Sequence, residues 1–225
     1  MKQRRFTRQS GFTLVEIAIV LVIIGLLLGG VLKGQELIEN AKVKSAVSEL
    51  NGVAAANYGY LDRFRRLPGD DGPIGTLTAR GGSWTGLNAS GAGNNNGTLD
   101  AIATDTFTGG AESDAFWIQL RAAGLITGNP ADINAAAMPR NAFSGLTGVT
   151  SQVAAAVMGS LPGTKVCMSQ VPGKAARALD TQLDDGVGNT GSFRATTGAS
   201  GVNTAPAAAV AVYNDNNIYT ICRTM

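Results

Sequence analysis

The sequence contains no histidine. That absence removes the commonest general base, the usual metal ligand, and both the Ser/His and Cys/His nucleophile arrangements. Aromatic residues make up only 6% of the 225, so the chain must fold around a modest core. The two cysteines, Cys167 and Cys222, both lie in the distal half. If that half is exported, one disulfide between them is the natural reading; two unpaired core cysteines are the alternative. Of the 18 Lys and Arg, Lys2, Arg4, Arg5 and Arg8 precede Gly11, and the remaining 14 face 16 Asp and Glu. A near-neutral remainder lacks the basic surface expected of a nucleic-acid binder. Gly, Ala, Ser, Thr and Asn crowd residues 75–115 and 184–206, which predicts long irregular loops, while an apolar content of 44% is too high for a disordered chain.

What is present begins with "RQSGFTLVEIAIVLVIIGLLLGGVLK", residues 8–33. From Ile17 to Leu32 no residue is charged, and adding Phe12–Val15 gives about the 20 residues a helix needs to span the hydrocarbon core. The basic flank sets the orientation, with the N-terminus in the cytoplasm and the rest translocated. No convincing small-residue cleavage site follows the apolar run, as an ordinary secretory signal requires. One carboxylate, Glu16, sits inside it. A carboxylate in lipid calls for a partner. Cutting the chain after Gly11 would supply one, because it frees the α-amino group of Phe12 four residues away. In a bundle of such helices, the amine of one chain meets the carboxylate of the next. The alternative leaves Glu16 snorkelling at headgroup level.

"SGFTLVEIAIVLVIIGLLLGG" resembles the class III signal of type IV pilins and type II secretion pseudopilins. The likeness is strong over residues 8–45 and thins beyond. It implies a prepilin peptidase that cuts after Gly11 and methylates Phe12 as the new N-terminus. It also implies that Glu16 pairs with a neighbour's amine and guides entry into the filament. Many members carry a proline where this chain has Lys33; Gly25, Gly29, Gly30 and Gly34 offer a comparable local weakness, since an interior glycine costs about 1 kcal/mol relative to alanine.

The rest of the chain follows as spine and head. Val43, Val47, Leu50, Val53 or Ala54, Asn57, Leu61 and Phe64 recur every three to four residues, an apolar stripe on a water-exposed helix. Glu39, Lys42, Lys44 and Glu49 decorate the other face. The organisation expected is a leader at 1–11, a helix at 12–65 (12–33 transmembrane or filament core, 34–65 amphipathic spine) and a globular head at 66–225. The continuous helix would be about 75 Å long at 1.5 Å per residue. Pro68 and the Gly-Asp-Asp-Gly-Pro after it end the helix, and residues 75–110 read as a loop. Residues 112–126 predict a short amphipathic helix with Ser113 as its N-cap, Gly124 near its C-terminal end and Trp117 as a core anchor. Residues 164–171 predict a strand, 174–185 a helix, and "AAVAVYNDNNIYTIC" a hairpin. The fold class is α+β, a long N-terminal helix packed on a small antiparallel sheet with long loops. Cys167 and Cys222 fall on strands of that sheet, and a bridge there would match the terminal disulfide of many pilins.

Candidate sites are few. Asp180, Asp184, Asp185 and Asn189 gather hard oxygen donors around two glycines, as calcium requires, and similar acidic loops hold calcium in major pseudopilins. The EF-hand spacing is missing, and a solvated, Asp-capped turn is the competing reading. "GDDG" at 69–72 and "NNNGTLD" at 94–100 are weaker candidates of the same kind. Paired carboxylates such as Asp70 and Asp71 lack a partner to separate their pKa values, "GSLPGTK" lacks phosphate-loop spacing, and no enzyme is expected. No cofactor is required, with calcium the one candidate. The reading is a structural subunit of a type IV pilus, with a type II secretion pseudopilin as the alternative. The head's length and cysteine pair favour the former. Its partners would be copies of itself and related pilins, the prepilin peptidase and the inner-membrane assembly platform. It would sit in a bacterial inner membrane with the head in the periplasm before assembly, and in an extracellular pilus afterwards. Two other classes remain beside these: an uncut membrane protein whose head binds a periplasmic ligand, and a periplasmic enzyme, which would need a site the sequence does not show.

Overall fold

A computed structural model describes Gly11 and residues 13–225. The chain divides into two compact units, one up to Ala41 and one from Lys42 to Met225. Helix α1, Leu14–Phe64, runs from the first into the second. It is unbroken through Gly25, Gly29, Gly30 and Gly34, so the missing proline and the added glycines leave a regular helix here. No proline interrupts those 51 residues. Arg63 complements the last turn, and the helix stops where Arg65 takes φ 55° and donates its N–H to the Leu61 carbonyl at 2.9 Å.

Within the second unit, α1 buries Val43, Ala46, Leu50, Val53, Ala56, Asn57 and Tyr60. This corrects the expected stripe: Val47 is only half-buried, Phe64 likewise, and Leu61 is exposed. The true face is rotated towards Ala46 and Ala56. Small alanines give a weak hydrophobic signal, yet Ala46 and Ala56 are buried with the leucine and valines of that face. Tyr60, absent from the expected stripe, is fully buried, and its hydroxyl donates to Asp71 at 2.7 Å.

The sheet has four strands, β1 (Thr147–Thr150), β2 (Lys165–Pro172), β3 (Phe193–Gly198) and β4 (Ile218–Thr224), ordered β1-β2-β4-β3 and antiparallel throughout. Cys167 stands directly opposite Cys222, and the two form a disulfide. The register between β2 and β4 shifts between Met168 and Val171, where Gln170 has φ 61°. The expected 208–222 hairpin is corrected: only 218–224 is a strand, and its hairpin-like neighbour is β3. Residues 199–217 form a connection that touches β3 through the Val210 N–H, which donates to the Ala195 carbonyl at 2.9 Å. Strand β3, "FRATTG", was hidden inside a Thr/Ser/Gly-rich stretch; its Phe193 and Ala195 point into the core. Strand β1 has four residues, too few for alternation to register.

Helix α2 (Ile74–Thr78) and three short 3-10 turns at Gly82–Trp84, Ala89–Gly91 and Ala103–Asp105 fill the loop expected at 75–110. Helix α3, Ala111–Ala122, packs against β1. Instead of one apolar face, every residue from Glu112 to Ala122 is buried. The polar ones are spent on neighbouring backbone: Gln119 accepts from the Gly69 N–H at 2.6 Å and donates to the carbonyls of Asp71 and Gly91 at 2.8 and 3.0 Å. The N-cap is Gly110, and Ser113 instead donates to the Asp105 carbonyl at 3.2 Å. Gly124, at φ 73°, follows the C-cap as expected. Trp117 is fully buried. Helix α4, Gly173–Leu183, lies over β2, β3 and β4.

Candidate functional site

The first candidate segment opens α1. Gly11 is exposed; Phe12 and the leader residues 1–10 lie outside the described residues. Thr13 stands just before the helix, with its N–H and its hydroxyl both donating to Glu16 Oε2 at 2.8 Å. The Glu16 N–H returns to Thr13 Oγ1 at 3.2 Å. This reciprocal closure satisfies orphan N–H groups of the first turn and places the carboxylate where the helix dipole favours it. On both sides of Glu16, the described apolar side chains from Leu14 to Leu32 are exposed; Leu14, Leu26 and Leu32 are 90, 74 and 66% accessible. A window of α1 is long and apolar enough to cross a membrane and is not buried at all. Leucines in such number stay out of water only in lipid or against other helices. Lys33 forms an ion pair with Glu36 at 2.7 Å.

The second candidate is the acidic loop after α4. Asp180, Asp184 and Asp185 each place one carboxylate oxygen within 4.8 Å of the others, a spacing a calcium ion accepts. Each carboxylate is also engaged within the chain. Asp180 accepts from Tyr213 Oη at 2.6 Å and the Gly186 N–H at 3.2 Å. Asp184 accepts from the N–H groups of Ser192 and Phe193 at 2.6 and 2.9 Å. Asp185 accepts from the Val187 N–H at 2.8 Å and Thr190 Oγ1 at 2.5 Å. Burial pushes the Asp180 carboxyl above its ordinary range, and Asp185 and Asp184 push the same way, while Tyr213 and the Gly186 N–H oppose them. Asn189, the fourth expected donor, is exposed on the same loop. The spacing fits calcium, but three carboxylates fall short of six to eight oxygen ligands.

The two weaker acidic stretches come together. Asp70 accepts from the N–H groups of Asn96 and Gly97 at 2.8 and 2.9 Å, so "GDDG" caps the "NNNG" turn. Asp71 is held by Tyr60 and by Arg80 at 2.8 Å, and the Arg80 guanidinium lies 4.6 and 4.7 Å from the Phe64 and Trp84 ring centroids. Both carboxylates are buried and committed to the fold.

Residues 6–32 match the family model described as the prokaryotic N-terminal methylation motif. The chain carries that motif. No curated protein matches the chain. The motif covers Arg8 of the basic flank, Gly11, Thr13, Glu16 and the exposed apolar turns of α1, and is consistent with a precursor of the type IV pilin or pseudopilin kind. It supports membrane anchoring of the precursor through α1.

Sequence reasoning singled out Gly11, Phe12 and Glu16 and did not consider Thr13, which the structure places against the Glu16 carboxylate. The signal was there: "TLVE" has the Thr-x-x-Glu spacing of a capping box directly ahead of an apolar run. It also missed Lys165. This lysine is fully buried and donates Nζ to the carbonyls of Leu161 and Gly163 at 2.8 and 2.7 Å, and burial pushes its pKa down to about 8.

Proposed function

We propose that this chain is a prepilin whose mature form is a structural subunit of a type IV pilus. The observation that carries the reading is the methylation motif running directly into a helix whose apolar turns are exposed. Before assembly, those turns sit in the bacterial inner membrane and the head faces the periplasm. A prepilin peptidase cuts after Gly11 and methylates Phe12. The assembly platform then draws the helix out of lipid into a bundle of copies and related pilins, where the Phe12 amine of one chain meets the Glu16 carboxylate of another. The product is extracellular. The head acts as the outer coat and carries out no chemistry of its own.

The alternative, a pseudopilin of a type II secretion system, rests on the acidic loop at Asp180, Asp184 and Asp185. The disulfide between Cys167 and Cys222 favours the pilus subunit.

The test is intact-mass and N-terminal peptide mass spectrometry of material sheared from the surface of the source cells. Finding the chain there, starting at methylated Phe12, supports the pilus reading. A processed chain confined to the membrane fraction favours the pseudopilin. A mature chain that still carries its leader overturns both.

A further inference from the structure

A cavity of about 300 Å³ lies in the head between α1, α3 and the segment leading into β1, wholly within the second compact unit. That volume is at the lower end of the range that small-molecule sites occupy. Its apolar wall is made by Val53 on α1, Trp117 on α3, Leu125 and Ile126 just after α3, and Pro139. Three polar groups in the lining lack a full set of partners. Trp117 is fully buried, yet its Nε1–H has no acceptor among the described residues; a donor buried in this way is costly and rare. Glu49 has no basic partner within ion-pair distance among the described residues, and Arg140 has no acidic one. Burial holds the Glu49 carboxyl above its ordinary range, against the opposing bonds from Ser45 and the Ala142 N–H. Arg140 is exposed and reaches only the Ser144 carbonyl, at 3.4 Å.

We propose that this cavity binds a free aliphatic α-amino acid of about the size of leucine. Each part of such a ligand answers one feature of the lining. The side chain lies against Val53, Leu125 and Ile126, the ammonium meets the Glu49 carboxylate, and the carboxylate faces Arg140 and supplies an acceptor for the indole N–H. A simple cation would leave Arg140 and the indole unanswered, and a simple anion would meet the charge of Glu49. A zwitterion on an apolar body suits the whole set. Binding here asks no chemistry of the head and is separate from the assembly of α1.

The experiment is calorimetric titration of the full chain in detergent with three probes: L-leucine, L-leucinamide, which lacks the carboxylate, and 4-methylpentanoate, which lacks the amine. Leucine is expected to bind with a Kd of about 1 mM or tighter, within reach of a ligand of about nine heavy atoms. 4-Methylpentanoate should bind about tenfold more weakly, the scale of one lost bond to a charged group. Glu49→Gln should weaken leucine by the same factor. Arg140→Gln should weaken it about threefold, since the guanidinium is exposed, and should leave leucinamide unaffected. The disulfide-dependent shift on a non-reducing gel reports that the head of each variant has folded. Trp84→Phe leaves Trp117 as the one indole, whose emission should move when leucine is added. Neither heat nor an emission change at about ten times the expected Kd overturns the proposal. So does leucine binding that is equal in the parent, Glu49→Gln and Arg140→Gln, which would put the ligand elsewhere. Equal binding of 4-methylpentanoate and leucine also overturns it, because the cavity would then be an apolar cleft and no amino-acid site.

Discussion

The Tyr60 hydroxyl donates to Asp71 across 2.7 Å of buried interior, tying the last turns of α1 to the loop that follows it. Arg80 completes the arrangement from the other side of the same carboxylate oxygen, at 2.8 Å. Burial raises the Tyr60 phenol well above its ordinary value, and the Asp71 carboxylate adds to the effect. The phenol is therefore a permanent donor. Tyr60→Phe should cost about 1.5–3 kcal/mol, the loss of one hydrogen bond to a charged group. Asp71→Ala should cost about 3–5 kcal/mol, since Arg80 is left without its counter-charge. Denaturant unfolding of the full chain in detergent measures both, and equal effects would contradict the assignment of Asp71 as the hub.

Lys165 makes a prediction in pH. Its pKa falls from 10.5 when free to about 8 in the fold, because burial penalises the ammonium. The unfolded chain therefore holds the proton across this interval while the folded chain has released it. Stability contributed by this residue rises as pH climbs from about 8 towards 10.5 and is flat below 8. Lys165→Met removes the dependence. The stability difference between parent and variant should shift in the parent's favour by about 3 kcal/mol over that interval. A difference that stays constant with pH would show that the ammonium is not penalised.

The disulfide closes a loop with a sequence separation of 55. Removing it should cost about 4 kcal/mol in the chain-entropy account. Cys167→Ser, Cys222→Ser and the double variant should lower the midpoint alike, because each breaks the same constraint. The check is thermal unfolding of each beside the reduced parent. Single variants much worse than the double would mean that a stray thiol, and not the lost link, does the damage.

Calcium is tested on the loop that carries Asp180, Asp184 and Asp185. All three carboxylates already have donors within the chain, so exchanging excess calcium for a chelator should move the unfolding midpoint by less than about 2 °C. Saturation of a true site at a hundred times Kd contributes about 2.7 kcal/mol, or about 5–10 °C for a domain of this size. A shift on that scale would identify a cation site and strengthen the pseudopilin reading.

Much of this molecule was legible in its sequence, and the parts that were not share a cause. Glu16 stood out because a carboxylate in an apolar run is costly anywhere but at a site with a purpose. The pairing of Cys167 with Cys222 followed from their number and from the strands around them. The packed face of α1 was read only in part: Val43, Leu50, Val53 and Asn57 are buried as expected, but Ala46 and Ala56 are buried too and hardly register as hydrophobic. Helix α3 defeated the amphipathic pattern altogether: Glu112, Asp114 and Gln119 look like a solvent face, and they are buried because the surrounding loops supply backbone groups for them to bind. Strand β3 was obscured by a Thr- and Gly-rich composition that ordinarily signals a loop. The 208–213 run has the alternation of a strand but lies beside the sheet edge with a single ladder-like bond from Val210. Periodicity finds surfaces that meet a uniform core, and it fails where the partner is irregular backbone from distant sequence.

Both margins of the sheet are already in use. On the β1 side the Thr147 N–H donates to the Pro139 carbonyl at 2.8 Å, and Ser151 just beyond the strand donates to the Ala101 carbonyl at 2.9 Å. On the β3 side, Ala195 donates to the Gly188 carbonyl at 2.8 Å and receives the Val210 N–H. Open strand margins zip together when chains crowd. With these groups taken, the margins of the head's sheet offer few free backbone donors and acceptors, so a concentrated solution of the protein has little open edge through which to pair strand to strand.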